Sequence, residues 1–258
     1  SKVLFMFGGG SATIGQYSDT VLSSSWATPL LDATVDPIGL TGTGITSGIA
    51  VIREWQTGDL RSSHFYGMTW TPPASLGVVA DPGGSSMASD MTVGHLTYRQ
   101  AGQHFYARYD SGLWMPVAEP MGASGPEHAS LVVLSGDPVA VFVGSDGELY
   151  DQTRSGGVWN APQAHGLAGT LASTTPALVV PDAGPELVVV FTASDQSLWF
   201  QTRSAGSWTA PAAVPGATSD APPSLAAIDG GDVVLAYRGL DANGYSQRLS
   251  GGAWQSPV

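Results

Sequence analysis

Short apolar and β-branched runs, each closed by Gly, Pro, Asp or Ser, recur along the whole chain. Between Ala177 and Trp208 the pattern is clearest. Ala177-Leu-Val-Val180 is stopped by Pro181-Asp182, and Leu187 to Thr192 reads LVVVFT between Pro185 and Ser194-Asp195. Leu198 to Arg203 alternates in character, and Ser204-Ala-Gly206 then supplies a tight turn into Trp208. Continuous apolar runs predict strands buried on both faces, alternating runs predict half-buried strands, and the punctuation predicts turns. The same order appears at Ser130–Val133, Val139–Val143, Leu149–Arg154 and Gly156-Gly157 before Trp159. It appears again at Ser224–Ile228, Val233–Tyr237, Tyr245–Leu249 and Gly251-Gly252 before Trp254. Ile49–Trp55 and His95–Arg99 are the second strands of two more diverged units. No stretch of ten or more residues carries the helical period.

These strands belong to a repeat. Ser145 to Pro162, SDGELYDQTRSGGVWNAP, returns without a gap 49 residues later as SDQSLWFQTRSAGSWTAP from Ser194 to Pro211. Trp followed closely by Pro occurs at Trp26, Trp70, Trp114, Trp159, Trp208 and Trp254, at spacings of 44, 44, 45, 49 and 46. Repeats of this length with four short strands predict β-propeller blades, each unable to bury both faces without its neighbours. A parallel β-helix is the other repeat fold considered, but its rungs are shorter and lack the Gly-Trp hairpin. The expectation is an all-β chain forming one propeller domain over 1–258. Its six blades fall at about 1–32, 33–77, 78–122, 123–167, 168–216 and 217–258. The first blade is incomplete: Val3–Phe7 (VLFMF) stands where a second strand should be, so blade one has three strands or a gap filled by another chain.

Composition narrows the partners. The 258 residues carry a formal charge of −12, with Lys2 the only lysine and 12% charged residues in all. That acidity disfavours nucleic acid and anionic membranes, and no apolar run is long enough for a membrane helix. Without cysteine, neither disulfides nor thiol chemistry contribute. The compartment is not written in these residues; a secreted or cell-surface setting is the expectation.

The pattern Pro-Ala-(apolar)…Gly…Val-Val-Phe…Asp…Leu-Trp…Gly-x-Trp…Pro, best seen from Pro176 to Gly216, resembles the blades of bacterial and fungal propeller lectins. The Photorhabdus-type fucose-binding lectins are closest, with the Psathyrella-type and tachylectin-2-like propellers behind them. The likeness is good over units four to six, faint over two and three, and partial over one. It implies multivalent, non-catalytic binding of glycans (fucose-type or N-acetylated sugars) in shallow pockets repeated between blades, without cofactor, and it allows an oligomer. The hairpin into Trp is also similar to the Asp-box of sialidase propellers, but Arg154, Arg203 or Leu249 stands where that box needs Asp.

Several side chains carry the candidate chemistry. Tyr150, Trp199 and Tyr245 are aromatics on third strands that could stack on a sugar or simply cover the next blade. Gln152, Gln201 and Gln247, each seven residues before its Trp, could read adjacent hydroxyls or tie strand to hairpin. Arg154 and Arg203 could hydrogen-bond hydroxyls or solvate the hairpin. Trp159, Trp208 and Trp254 fit a packing role between blades, with one face or the N–H available to a ligand. Asp146, Asp195 and Asp241 fit ordinary turn chemistry.

Other chemistries find little support. His64, His95, His104, His128 and His165 lack metal-ligand spacing, and Gly8-Gly9-Gly10-Ser11 lacks the Lys and the helix of a phosphate loop. A propeller glycosidase would need carboxylates such as Glu54, Glu119, Glu127, Glu148 or Glu186 to converge, with Arg53, Arg99 and Arg238 as a possible cluster. It stands as the alternative to a lectin, together with a protein-interaction scaffold.

Overall fold

A computed structural model describes residues 2–7, 13–18, 35–44, 47–66, 69–83, 85–90, 92–167, 169–228 and 230–258. It contains β-strands and turns, with no helix among the described residues. The strands form six antiparallel sheets in chain order. Two compact units contain them, 1–121 and 122–258.

In the first unit, Lys2–Phe7 pairs with Thr13–Ser18. The expected first-blade hairpin at Trp26 to Pro29 lies outside the described residues. The second sheet runs Val35–Gly44, Ser47–Glu54, Asp59–Tyr66 and Thr69–Trp70, and the third runs Ser85–Ser89, Gly94–Gln100, Gln103–Asp110 and Leu113–Trp114. One core joins them: Ile49, Val51 and Leu60 pack with Leu96, Tyr98 and Tyr109, and Trp114 closes over the cluster.

The second unit repeats the plan three times. The fourth sheet comprises Ser130–Leu134, Asp137–Val143, Leu149–Ser155 and Val158–Trp159. The fifth comprises Ala177–Val179, Leu187–Thr192, Ser197–Ser204 and Ser207–Trp208, and the sixth Ser224–Ile228, Asp232–Arg238, Gly244–Ser250 and Ala253–Trp254. Every residue from Leu187 to Thr192 is buried, as a strand covered on both faces requires. Val141, Val143 and Leu149 meet Val189 and Phe191 under Trp208, and Val190 and Leu198 meet Leu235 under Trp254. Trp114, Trp208 and Trp254 therefore each pack on the preceding sheet.

The hairpin into Trp208 is a two-residue turn with both residues left-handed, Ala205 at φ 48 and Gly206 at φ 75, the turn whose twist matches paired strands. Beyond Trp70, Trp114, Trp159, Trp208 and Trp254 the ladder makes one more backbone bond, from the next residue's N–H to the carbonyl six before Trp. It is 2.8 Å for Thr71, 2.6 Å for Met115, 3.0 Å for Asn160, 2.9 Å for Thr209 and 2.8 Å for Gln255. The proline that follows has no N–H to give, so the chain leaves the ladder there. It rejoins strand three at a fixed register, four residues past Trp against eight before it: Ala74 with Ser62, Gln163 with Asp151, Ala212 with Phe200. Val258 and Ser246 exchange both backbone bonds at 3.0 Å in that same register. The outermost strand is thus two short pieces with a step between them.

Candidate functional site

The third-strand candidates, such as Tyr150, Gln152 and Arg154, fall at every second residue and so share one side of the strand, with Asp151 on the other. At nine residues before Trp, the polar tip of each aromatic is tied to the turn behind it. Tyr150 donates its OH to Asp146 Oδ2 at 2.8 Å and Tyr245 to Asp241 Oδ2 at 2.7 Å. Trp199 Nε1 donates to Ser197 Oγ at 2.7 Å, and Ser197 donates on to Asp195. The Tyr150 bond leads the interactions that hold the Asp146 carboxyl below its ordinary value, and Tyr245 does the same for Asp241. The rings lie flat on Phe142 and Tyr237, with centroids 5.8 and 5.6 Å apart. A Cβ on Gly144 or Gly239 would stand 2.6 Å from the tyrosine ring, so glycine admits these aromatics.

Seven before Trp, the glutamines are buried at 1%, 0% and 2% exposure and spend their amide N–H on backbone. Gln152 Nε2 donates to Asn160 O and Gln201 Nε2 to Thr209 O, both at 2.8 Å. In each case the acceptor is the carbonyl just past Trp. Gln247 donates to Pro215 O, 2.9 Å away in the preceding sheet. Ser63 fills the position in the second sheet, its hydroxyl 2.5 Å from Thr71 O. Between the two roles open to these glutamines, the hydrogen bonds of Gln152 and Gln201 are those of the strand-to-hairpin tie, whereas Gln247 ties its strand to the preceding sheet.

One groove, of about 410 Å³, lies between the fourth and fifth sheets. Gln152, Arg203 and Trp208 line it together with Asp151 and His165. Tyr150, Arg154, Trp159, Trp199, Tyr245, Gln247 and Trp254 stand outside that lining, and Gln201 reaches it only through His165.

Asp151 is the centre of this groove. Trp208 Nε1 donates to its Oδ1 at 3.0 Å, and His165 Nε2 stands 3.4 Å from the same oxygen. Oδ2 has no protein partner among the described residues, and 11% of the side chain stays exposed. Burial works to raise the Asp151 carboxyl, but His165, the Trp208 N–H and the charge of Arg203 together hold it below its ordinary value. It is an ionised acceptor with one oxygen to offer. Arg203 supplies donors: its Nε and Nη1 are buried without a hydrogen-bond partner among the described residues, and Glu186 Oε2 lies 3.8 Å from Nε. His165 stacks on Trp208 with centroids 4.1 Å apart. A carboxylate oxygen, an under-used guanidinium and an aromatic wall can bind adjacent hydroxyls of a neutral ligand.

At the equivalent positions of other sheet pairs the residues differ. Between the fifth and sixth sheets the positions of Asp151, His165 and Arg203 are taken by Phe200, Val214 and Leu249. Trp254 there meets Phe200 edge-on at 5.6 Å, and its Nε1 is buried with no hydrogen-bond partner among the described residues. Between the second and third sheets the same positions hold Ser62, Leu76 and Tyr109, and Trp114 Nε1 donates to Ser62 Oγ at 3.1 Å.

Asp151 and His165 were not among the binding candidates that the sequence offered. The signal for the first was present: Asp151 against Phe200 is a change from charge to aromatic inside two copies that otherwise match closely. His165 was weighed only as a metal ligand, and among the described residues no group of His, Asp and Glu is placed to hold a metal.

No protein-family model and no curated protein matches the sequence. Solved structures do match. AofleA from Arthrobotrys oligospora superposes with a TM-score of 0.69 at 13% identity, covering 99% of this chain and 81% of that one. A single-site mutant of Aleuria aurantia lectin, in complex with α-methyl-L-fucoside, gives 0.67 at 14% identity over 100% and 89% of the two chains. SapL1 lectin, in complex with α-methyl fucoside, gives 0.63 at 12% identity over 98% and 90%. Aleuria aurantia lectin is described as a six-bladed β-propeller that recognises fucose. The expected all-β propeller, and the likeness to fucose-lectin propellers read from the Gly-x-Trp…Pro pattern, are borne out in the fold: the chain is built on the β-propeller plan.

Proposed function

We propose that this chain is a non-catalytic carbohydrate-binding propeller, a lectin, that takes a neutral fucose-type sugar in the groove between its fourth and fifth sheets. The observation that carries the reading is the unspent polar capacity of that groove: Asp151 Oδ2 as acceptor and Arg203 as donor, beside Trp208. The likeness in fold to lectins bound to methyl fucosides supports the choice of sugar. Paired acceptor and donor suit two neighbouring hydroxyls, and the aromatic surface of Trp208 suits the apolar side of a pyranose. A single groove of this size binds weakly, and dense glycan presentation raises apparent affinity because each further engagement is intramolecular.

The test is a glycan array read at high and low ligand density, alongside calorimetry with methyl α-L-fucoside. Binding to dense fucosylated spots that Arg203→Ala abolishes supports the reading. Hydrolysis of a fluorogenic fucoside, lost on a single carboxylate change, would replace it with a glycosidase. Capture of a protein without competition by any sugar would replace it with a scaffold.

A further inference from the structure

We propose that Glu186 is a positioning residue of the groove between the fourth and fifth sheets: it holds the Arg203 guanidinium against its own hairpin and so keeps Arg203 from closing onto Asp151 in the empty site. The inference rests on the sugar-binding reading above and adds a residue that stands behind the groove lining.

Backbone pairing brings Glu186 to this place. Its N–H donates to the Arg203 carbonyl at 2.8 Å, where the second strand of the fifth sheet begins beside the third. The side chain then reaches the turn that leads into Trp208, and Gly206 N–H donates to Oε2 at 3.2 Å. The same oxygen stands 3.8 Å from Arg203 Nε. At that separation the opposite charges attract but no hydrogen bond forms. The guanidinium also lies along the turn, since a Cβ on Gly206 would stand 4.0 Å from Nη2. One carboxylate oxygen therefore secures the turn and the cation together. Nε and Nη1 are left without a hydrogen-bond partner among the described residues.

The sixth sheet shows the other outcome. Asp232 stands 22 residues before Trp254, as Glu186 does before Trp208. Its Oδ2 accepts from both Nε and Nη2 of Arg248, the first at 2.7 Å, so the donors of that arginine are committed. In the fifth sheet Thr202 takes the position of Arg248, and the acid faces Arg203 instead. There the oxygen already occupied by Gly206 attracts the cation and leaves its donors open.

The competitor for those donors is Asp151. It lines the same groove with the opposite charge. The two side chains are only 11% and 17% exposed, so salt would screen a pair between them weakly. Such a pair would remove the acceptor and the donor at once, and a neutral hydroxyl would find neither. Glu186 pulls on the guanidinium from the hairpin side and keeps both available.

Calorimetry with methyl α-L-fucoside on the wild type, Glu186→Gln, Asp151→Asn and the double variant tests this role. Glutamine keeps a carbonyl oxygen for Gly206 N–H and loses the charge, so its melting temperature should match that of the wild type. Its affinity should fall at least about fivefold, whereas the same change in the Asp151→Asn background should cost less than about twofold, because no anion remains there to draw Arg203 in. Wild-type affinity in Glu186→Gln, or an equal loss in both backgrounds, overturns the inference. Absence of fucoside binding by the wild type overturns the sugar reading instead. The positioning role is then decided without ligand by the nuclear magnetic resonance of the Arg203 Nε–H group. A signal that ignores Asp151→Asn in the wild type but shifts with it in Glu186→Gln supports the role. The same response in both sinks it.

Discussion

Trp208 donates its indole N–H to Asp151 across two neighbouring sheets at 3.0 Å, although 57 residues separate them in the chain. Trp114 makes the same reach to Ser62 at 3.1 Å. In both cases the tryptophan of one repeat finds a polar group eight residues before the tryptophan of the previous one. The indole is therefore a staple with an apolar body and a directed tip, and the residue that meets the tip sets the chemistry of the groove.

Asp151→Asn separates the two roles of that residue. The amide oxygen can still accept from Trp208, so unfolding free energy measured in urea should change by less than about 1 kcal/mol. Binding loses a charge-assisted acceptor, and affinity for methyl α-L-fucoside should fall on the order of 10–100-fold. Unchanged affinity would remove Asp151 from the site.

Trp208→Ala should cost roughly 3–5 kcal/mol in the same denaturation experiment, because the ring closes the core under Val141, Leu149 and Phe191. Trp199 packs against that same cluster and is anchored through Ser197. Trp199→Ala should therefore destabilise as well. A selective loss of sugar binding at full stability would restore it as an exposed stacking platform.

Gly239→Ala should destabilise by about 1–3 kcal/mol, since the new Cβ would press on the Tyr245 ring. In a Tyr245→Ala background the same change should cost much less. The coupling is measured by a double-mutant cycle, and additive effects would show that the ring is not the obstacle.

Acid should weaken the fold in two stages. Burial beside Tyr109 lowers the readiness of His64 to protonate in the folded chain. Its contribution is therefore complete above the ordinary histidine value of 6.5 and is lost as pH falls from there through the depressed folded value. Asp81 is pulled the same way: burial opposes ionisation, but the Gly102 and Ala101 N–H groups and Arg99 outweigh it. What Asp81 contributes is present above the ordinary carboxyl value of 3.8 and is lost below it. Melting temperature followed from pH 8 to 3 should show the first decline setting in below pH 6.5, shallower in His64→Asn.

Strand positions were largely legible because runs such as Leu187–Thr192 combine β-branched composition with firm punctuation, and their burial follows from composition alone. The tryptophan staple was legible from its recurrence. The glutamines were half legible: seven residues before Trp marks a structural position, but only the fold shows Asn160 O and Thr209 O waiting for their amides. The groove was the least legible part. It is assembled from Asp151, His165 and Arg203, which lie on separate segments and matter through where they differ between repeats. Reading for recurrence highlights what is shared, whereas the proposed binding rests on what is not.

The stepped outer strand has a consequence for behaviour in solution. A long unbroken sheet edge is a template on which other chains add strands and precipitate. Here a proline interrupts each outer strand just past Trp, and the chain resumes four residues beyond it. Only a few consecutive backbone groups are left for a stranger to pair with. That broken margin adds to the mutual repulsion of copies carrying a formal charge of −12 as a defence against aggregation.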